Sequence, residues 1–106
     1  MKNKIDAMLN SIDEEYIYTQ GMIGRSVLDP RVKDAIATTP RDRFVPRAYL
    51  DSAFDNRPLP IGYEQTISQP YIVALMTDLL SLKQDDTGLE IGTGSGYQAA
   101  ILSQLC

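Results

Sequence analysis

Two short stretches hold the residues most suited to chemistry. The first is Gly92-Thr93-Gly94-Ser95-Gly96, three glycines at alternate positions directly after Thr87-Gly88-Leu89-Glu90-Ile91. Alternate glycines let a backbone turn sharply and approach a ligand with no Cβ in the way, while a helix that follows offers free N–H groups. A nucleotide-like cofactor fits that geometry, and so does a plain flexible turn. The dinucleotide fingerprint G-x-G-x-x-G wants its third glycine at 97, where Tyr97 stands. Glu90 has two roles open to it: accepting hydrogen bonds from the backbone of the glycine loop, or meeting the cationic end of a ligand. A carboxylate there suits a cation better than a pyrophosphate, whose charge it would repel.

The second stretch is Gln65-Thr66-Ile67-Ser68-Gln69-Pro70. Ser68 reads as a helix N-cap, with Pro70 in the first turn. A hydroxyl and free N–H groups at a helix start also suit a carboxylate. Both readings can hold at once.

What the chain lacks narrows the chemistry further. It has no His, which removes the usual general acid/base near neutral pH and every His-based metal site, so no metal is expected. Its one cysteine, Cys106, cannot form an intrachain disulfide and suits a reduced cytosolic thiol. Fourteen acids against ten bases give a net charge of -4, no footprint for nucleic acid or an anionic membrane. The longest apolar run, Tyr71 to Met76, is far short of the roughly 20 residues needed to cross a bilayer. The first ten residues lack the apolar core of a secretory signal. With 43% hydrophobic and 23% charged residues, the chain is expected to be one small cytoplasmic domain, monomeric when complete.

The elements that must position these stretches follow from periodicity. Ile5, Met8, Leu9, Ile12 and Tyr16 have helical spacing, and Gly21 stands where a C-terminal cap would end a helix over 5–20. Asp29-Pro30 opens a second helix to about Thr38. From Pro40 to Gly62, four prolines predict an irregular wrap with short helical turns around Phe44, Tyr49 and Phe54, in which Arg41, Arg43 and Arg47, with Asp42 and Asp51 among them, suit a solvated face better than an anion site. Ser68 to about Leu82 is predicted as a helix, with Ile72, Leu75, Met76, Leu79 and Leu80 along one face. Thr87–Ile91 is predicted as a strand, and Tyr97, Ala100, Ile101 and Leu105 mark the helix after the glycine turn. Strand, glycine turn and helix make the opening βα unit of a doubly wound α/β domain. Because a parallel sheet needs a further strand, the chain is expected to be the first part of such a domain.

Three motifs now stand in order. They are Pro40-Arg41-Asp42-Arg43-Phe44-Val45-Pro46; Leu59-Pro60-Ile61-Gly62 with Gln65-Thr66-Ile67-Ser68-Gln69-Pro70-Tyr71; and Leu89-Glu90-Ile91-Gly92-Thr93-Gly94-Ser95-Gly96-Tyr97-Gln98-Ala99-Ala100. From about Gly21 onward the chain closely resembles the protein-L-isoaspartate O-methyltransferases. The resemblance implies an α/β fold: a helical, substrate-side segment over 1–82, then over 83–106 the start of a Rossmann-like methyltransferase domain, incomplete here. It implies methyl transfer from S-adenosylmethionine to the side-chain carboxylate of L-isoaspartyl residues in damaged proteins or peptides, the ester then collapsing to a succinimide.

In that picture Ser68 orients the carboxylate, and Thr66 and Ile67 line the cofactor side. Gly92, Thr93, Gly94 and Gly96 form the cofactor loop, and Glu90 meets the cofactor's methionine end. The absent histidine fits, since a carboxyl is already ionised at neutral pH and needs no general base. Two positions depart from the family pattern: Glu64 replaces a Gly, and Gly88 replaces a branched apolar strand residue. A truncated product with no cofactor site of its own is the non-enzymatic alternative. A nucleotide-dependent oxidoreductase is another, which Tyr97 and the Ser68 segment disfavour.

Overall fold

The computed structural model describes residues 2–92 and 94–106. Helix α1, Lys2–Ile23, turns Met8, Leu9, Ile12, Tyr16 and Thr19 inward as one stripe. It runs a turn further than its predicted cap. Gly21 lies inside the helix, and Gly24, at φ +74°, ends it by donating its N–H to the Gln20 carbonyl at 3.0 Å. A positive φ is what this kind of ending requires, and it falls on Gly24. Helix α2, Pro30–Thr38, begins as its sequence predicts: the Asp29 carboxylate accepts from the Arg31 N–H at 2.9 Å, and Pro30 needs no partner in the first turn.

The proline-rich wrap forms two 3₁₀ turns, Arg41–Phe44 and Arg47–Ser52. Its arginines do not all face water. Arg41 is fully buried, a correction to the solvated face expected of it, and the reason appears at the site below. The wrap then gives way to a β-hairpin that the prolines conceal. Strand β1, Leu59–Gly62, pairs antiparallel with β2, Gln65–Ile67, in the register Leu59 to Ile67 and Pro60 to Thr66. Pro60 is tolerated because a two-stranded ribbon has only edges. The turn is tight: Gly62, Tyr63 and Glu64 all have positive φ, at 101°, 53° and 59°.

Helix α3 is Pro70–Leu80. Its N-cap position is Gln69, not Ser68. The free N–H of Tyr71 is met from outside by Asn56 Oδ1 at 3.0 Å, so the distant Asn56 performs the service expected of Ser68. Tyr71, Val73, Ala74, Thr77 and Asp78 face the core, while Ile72, Met76, Leu79 and Leu80 are exposed along the opposite side. The single core is built from α1, α2, α3, the wrap and β1–β2, and helix α4, Tyr97–Leu102, adds Tyr97 and Ile101 to it.

The strand predicted at Thr87–Ile91 does not form. Residues 87–90 have no regular structure, and Leu89 and Ile91 are 89% and 90% exposed. A strand exists through the hydrogen bonds of a neighbour, and the described residues supply none here. The architecture is therefore mixed α/β, with four helices among the described residues around a small antiparallel hairpin and a glycine turn leading into α4. No helix among the described residues is long and apolar enough to cross a membrane.

Candidate functional site

The hairpin and the glycine turn lie 24 or more residues apart in sequence, yet they form the walls of one cleft of about 250 Å³. Thr66, Ile67 and Ser68 line one side, Glu90, Gly92 and Gly94 the other, and Val73 and Met76 of α3 contribute apolar surface. Six of the eight residues singled out in the sequence thus meet in one place. Gly96 is not in the cleft wall; at φ +88° it opens α4. Thr93 lies outside the described residues. A wider hollow of about 380 Å³, lined by Asp86, Glu90, Leu102 and Cys106 among others, includes none of the hairpin residues.

Each wall is held from behind. Ile67 is buried in the core, so β2 is anchored and Thr66 and Ser68 on either side of it are exposed. This is the alternation of a strand with one face on the core. Among the described residues the Ser68 side chain makes no hydrogen bond, which leaves its hydroxyl uncommitted to the fold. Its carbonyl is held, accepting from Arg41 Nη2 at 2.8 Å.

On the opposite wall Gly92 and Gly94 take φ of +74° and +59°. These are conformations that L side chains rarely adopt, so the turn needs glycine. Glu90 Oε1 is buried and without a hydrogen-bond partner among the described residues. The expectation that the loop backbone satisfies it is therefore not met at that atom. A buried carboxylate oxygen with no donor is costly unless something outside the fold supplies one.

Sequence reasoning missed four residues that shape the cleft. Gln98 donates from Nε2 to Thr77 Oγ1 at 2.9 Å, tying α4 to α3. Ser95 Oγ accepts from the Tyr97 N–H at 3.3 Å, a local cap on the turn. Tyr97 is 2% exposed, its ring edge-on to Phe44 at 5.5 Å between centroids and beneath the Arg41 guanidinium at 4.9 Å. Burial pushes the Tyr97 phenol above its ordinary range, with the Arg41 charge opposing that rise. Arg41, the fourth, stands behind the cleft and not in its lining. Burial lowers its guanidinium pKa, and Tyr97 partly offsets this. Tyr97 could have been found as the apolar first residue after the glycines, but Arg41 gave no signal among three neighbouring arginines.

The sequence profile of the protein-L-isoaspartate(D-aspartate) O-methyltransferases matches residues 14–106. Protein-L-isoaspartate O-methyltransferase 2 of Syntrophobacter fumaroxidans is 58% identical over 97 residues, which is 92% of this chain and 39% of the relative. Protein-L-isoaspartate O-methyltransferase 2 of Nitrosococcus oceani is 57% identical over 98 residues, 92% of this chain and 45% of the relative. Protein-L-isoaspartate O-methyltransferase of Dictyoglomus turgidum is 68% identical over 75 residues, 71% of this chain and 34% of the relative. Likeness of this extent places the chain among the methyltransferases. More narrowly, it belongs to the protein-L-isoaspartate(D-aspartate) O-methyltransferase family. It spans less than half the length of these curated relatives.

Proposed function

We propose that the cleft serves methyl transfer from S-adenosylmethionine to the free carboxylate of L-isoaspartyl residues in damaged proteins or peptides. The observation that carries this reading is the convergence of Thr66, Ile67 and Ser68 with Glu90, Gly92 and Gly94 on one cleft in a chain of this family. We further propose that residues 83–106 open a Rossmann-like methyltransferase domain and that residues 1–82 form the substrate-side segment.

The donor set fits the cofactor. Glu90 presents a buried carboxylate oxygen with no hydrogen-bond partner among the described residues, as a cationic amino-acid end requires. The glycine turn offers backbone without side chains, as a close-lying ligand requires. S-adenosylmethionine, when bound, would supply a methyl group on a sulfonium, a carbon open to attack by oxygen as the carbon–sulfur bond pair departs on the neutral thioether of S-adenosylhomocysteine. Gly92 and Gly94 admit it to the wall, with Gly96 ending the loop, while Thr66 and Ile67 close the facing side.

The chain's own contribution is alignment. The Ser68 hydroxyl donates to one oxygen of the incoming carboxylate and leaves the other aimed at the methyl carbon. The carboxylate attacks with its own electron pair, so no residue has to take a proton, and the absence of histidine costs the reaction nothing. Alignment of this kind is worth about 7–11 kcal/mol of barrier.

One observation favours a second reading, a chain that holds no cofactor by itself: Leu89 and Ile91, beside Glu90, are almost wholly exposed. Calorimetric titration with S-adenosylhomocysteine, alongside methylation assays on an isoaspartyl peptide and its aspartyl counterpart, tests both. Binding with methylation confined to the isoaspartyl peptide is expected. Absence of binding selects the second reading, and binding of a nicotinamide nucleotide instead would point to an oxidoreductase.

A further inference from the structure

Arg41 is a cation with no exposed surface and, among the described residues, no carboxylate within ion-pair distance. Removing a guanidinium from water is costly, and a methionine would fill similar space without that cost. The fold must therefore gain something that only a guanidinium supplies. Its fork reaches two carbonyls from separate segments: Nε donates to Ala53 O and Nη2 to Ser68 O, each at 2.8 Å. Its guanidinium carbon lies over the Tyr97 ring, 4.9 Å from the centroid. One side chain thus joins the end of the second 3₁₀ turn, the residue that faces the cleft from the hairpin side, and the residue that backs it from the glycine-turn side.

We propose that Arg41 is a positioning residue that fixes the spacing between the two walls of the cleft. The neighbouring geometry leaves it this task. Ser68 is not secured by its own side chain, and β2 ends one residue before it. The Tyr97 ring lies against Arg41 and Phe44, and these contacts locate the phenol. Without the guanidinium, each wall keeps its own element and loses its link to the other. A lysine preserves the charge but presents one point donor in place of a planar fork, so it cannot span both carbonyls and cover the ring. This role deepens the proposed methyl transfer, because an error of an ångström in the spacing weakens alignment. The tie itself stands independently of which ligand the cleft takes.

The test is amide hydrogen exchange on the 106-residue chain and its Arg41→Lys and Arg41→Met variants. The Val73 amide, bonded to Gln69 O at 3.1 Å, reports on the Ser68 wall, and the Ala100 amide, bonded to Gly96 O at 3.0 Å, on the Tyr97 wall. The Lys33 amide, bonded to Asp29 O, serves as reference in α2. In Arg41→Lys, exchange at Val73 and Ala100 should quicken at least tenfold while Lys33 changes less than twofold. Equal quickening at all three, or none at Val73 and Ala100, would overturn the inference. If Arg41→Met unfolds, Arg41→Lys decides alone.

Where the chain methylates an isoaspartyl peptide, Arg41→Lys should raise the peptide KM at least fivefold and shift the S-adenosylmethionine KM less than twofold. An unchanged peptide KM would overturn the positioning role. If the unsubstituted chain shows no methylation, the functional reading is what fails, and the exchange result still decides whether Arg41 ties the walls.

Discussion

The Tyr16 hydroxyl donates to Asp78 Oδ2 at 2.8 Å, joining the middle of α1 to the last turn of α3 across 62 residues of chain. Both side chains are buried, and Arg25 reaches the other carboxylate oxygen at 3.0 Å from a partly exposed position. The contact is a charge-assisted hydrogen bond with a cation on its far side, and it secures the helix that carries Val73 and Met76 to the cleft.

Removing either partner has unequal costs. Tyr16→Phe deletes a donor but leaves Asp78 paired with Arg25, so a loss of about 1–2 kcal/mol is expected. Asp78→Ala strands a buried hydroxyl and frees Arg25, so about 2–3 kcal/mol is expected. Urea titrations followed by far-ultraviolet circular dichroism check the order, and an equal loss in both variants would contradict it.

The same contact predicts behaviour in alkali. Burial, and then the Asp78 carboxylate, hold the Tyr16 phenol well above its ordinary value of 10.0. A group whose pKa is raised on folding releases its proton more readily from the unfolded chain. Stability is then fully present below about pH 10 and falls as pH rises beyond it. Tyr16→Phe should therefore show a shallower decline above pH 10, measured as urea midpoint against pH. A decline as steep as that of the unsubstituted chain would place the effect elsewhere.

Asn56 caps α3 from a distance and also donates to Glu15 Oε1 at 3.0 Å. Asn56→Ala should cost about 1–2 kcal/mol, the cost of losing a helix cap. Ser68→Ala, at the position where spacing places the cap, should change stability by less than about 0.5 kcal/mol because the exposed side chain makes no hydrogen bond among the described residues. Thermal melts of the two variants separate these outcomes.

On the proposed function Ser68→Ala should lower methylation of an isoaspartyl peptide by at least tenfold while S-adenosylhomocysteine affinity changes less than threefold. With stability almost unchanged, a loss of rate would report on the carboxylate and not on folding. Parallel losses in rate and affinity would move Ser68 to the cofactor side.

At the hairpin tip Glu64 holds a φ of +59° that L residues adopt at a cost of about 1–2 kcal/mol. Its carboxylate is exposed, so nothing in the core is lost with it. Glu64→Gly should stabilise the chain by about 1 kcal/mol and raise its melting temperature, the gain being smaller than the strain because glycine also loosens the unfolded chain. A lower melting temperature would show that the side chain supports the turn.

Much of the site was legible because its residues announce themselves by type. Glycines at alternate positions and a hydroxyl beside a proline keep their meaning without tertiary context, and both reached the cleft. The helices were legible from their apolar spacing, though Gly21 and Gly24 competed for the end of α1 and only backbone geometry separates them. The hairpin was hidden because Pro58 and Pro60 punctuate it as they would a loop. Arg41 was hidden for the opposite reason: its type says surface, and its burial depends on carbonyls 12 and 27 residues away. The strand at Thr87–Ile91 was read from composition, yet a strand is a property of two segments, and the second is not among the described residues.

The segment around Glu90 bears on association as well as on the cleft. Leu89 and Ile91 leave two large apolar side chains in solvent side by side, and exposed apolar surface favours association. Glu90 sets a charge between these two apolar side chains, so its replacement by a neutral side chain is expected to raise self-association, read as a concentration-dependent shift in size-exclusion chromatography.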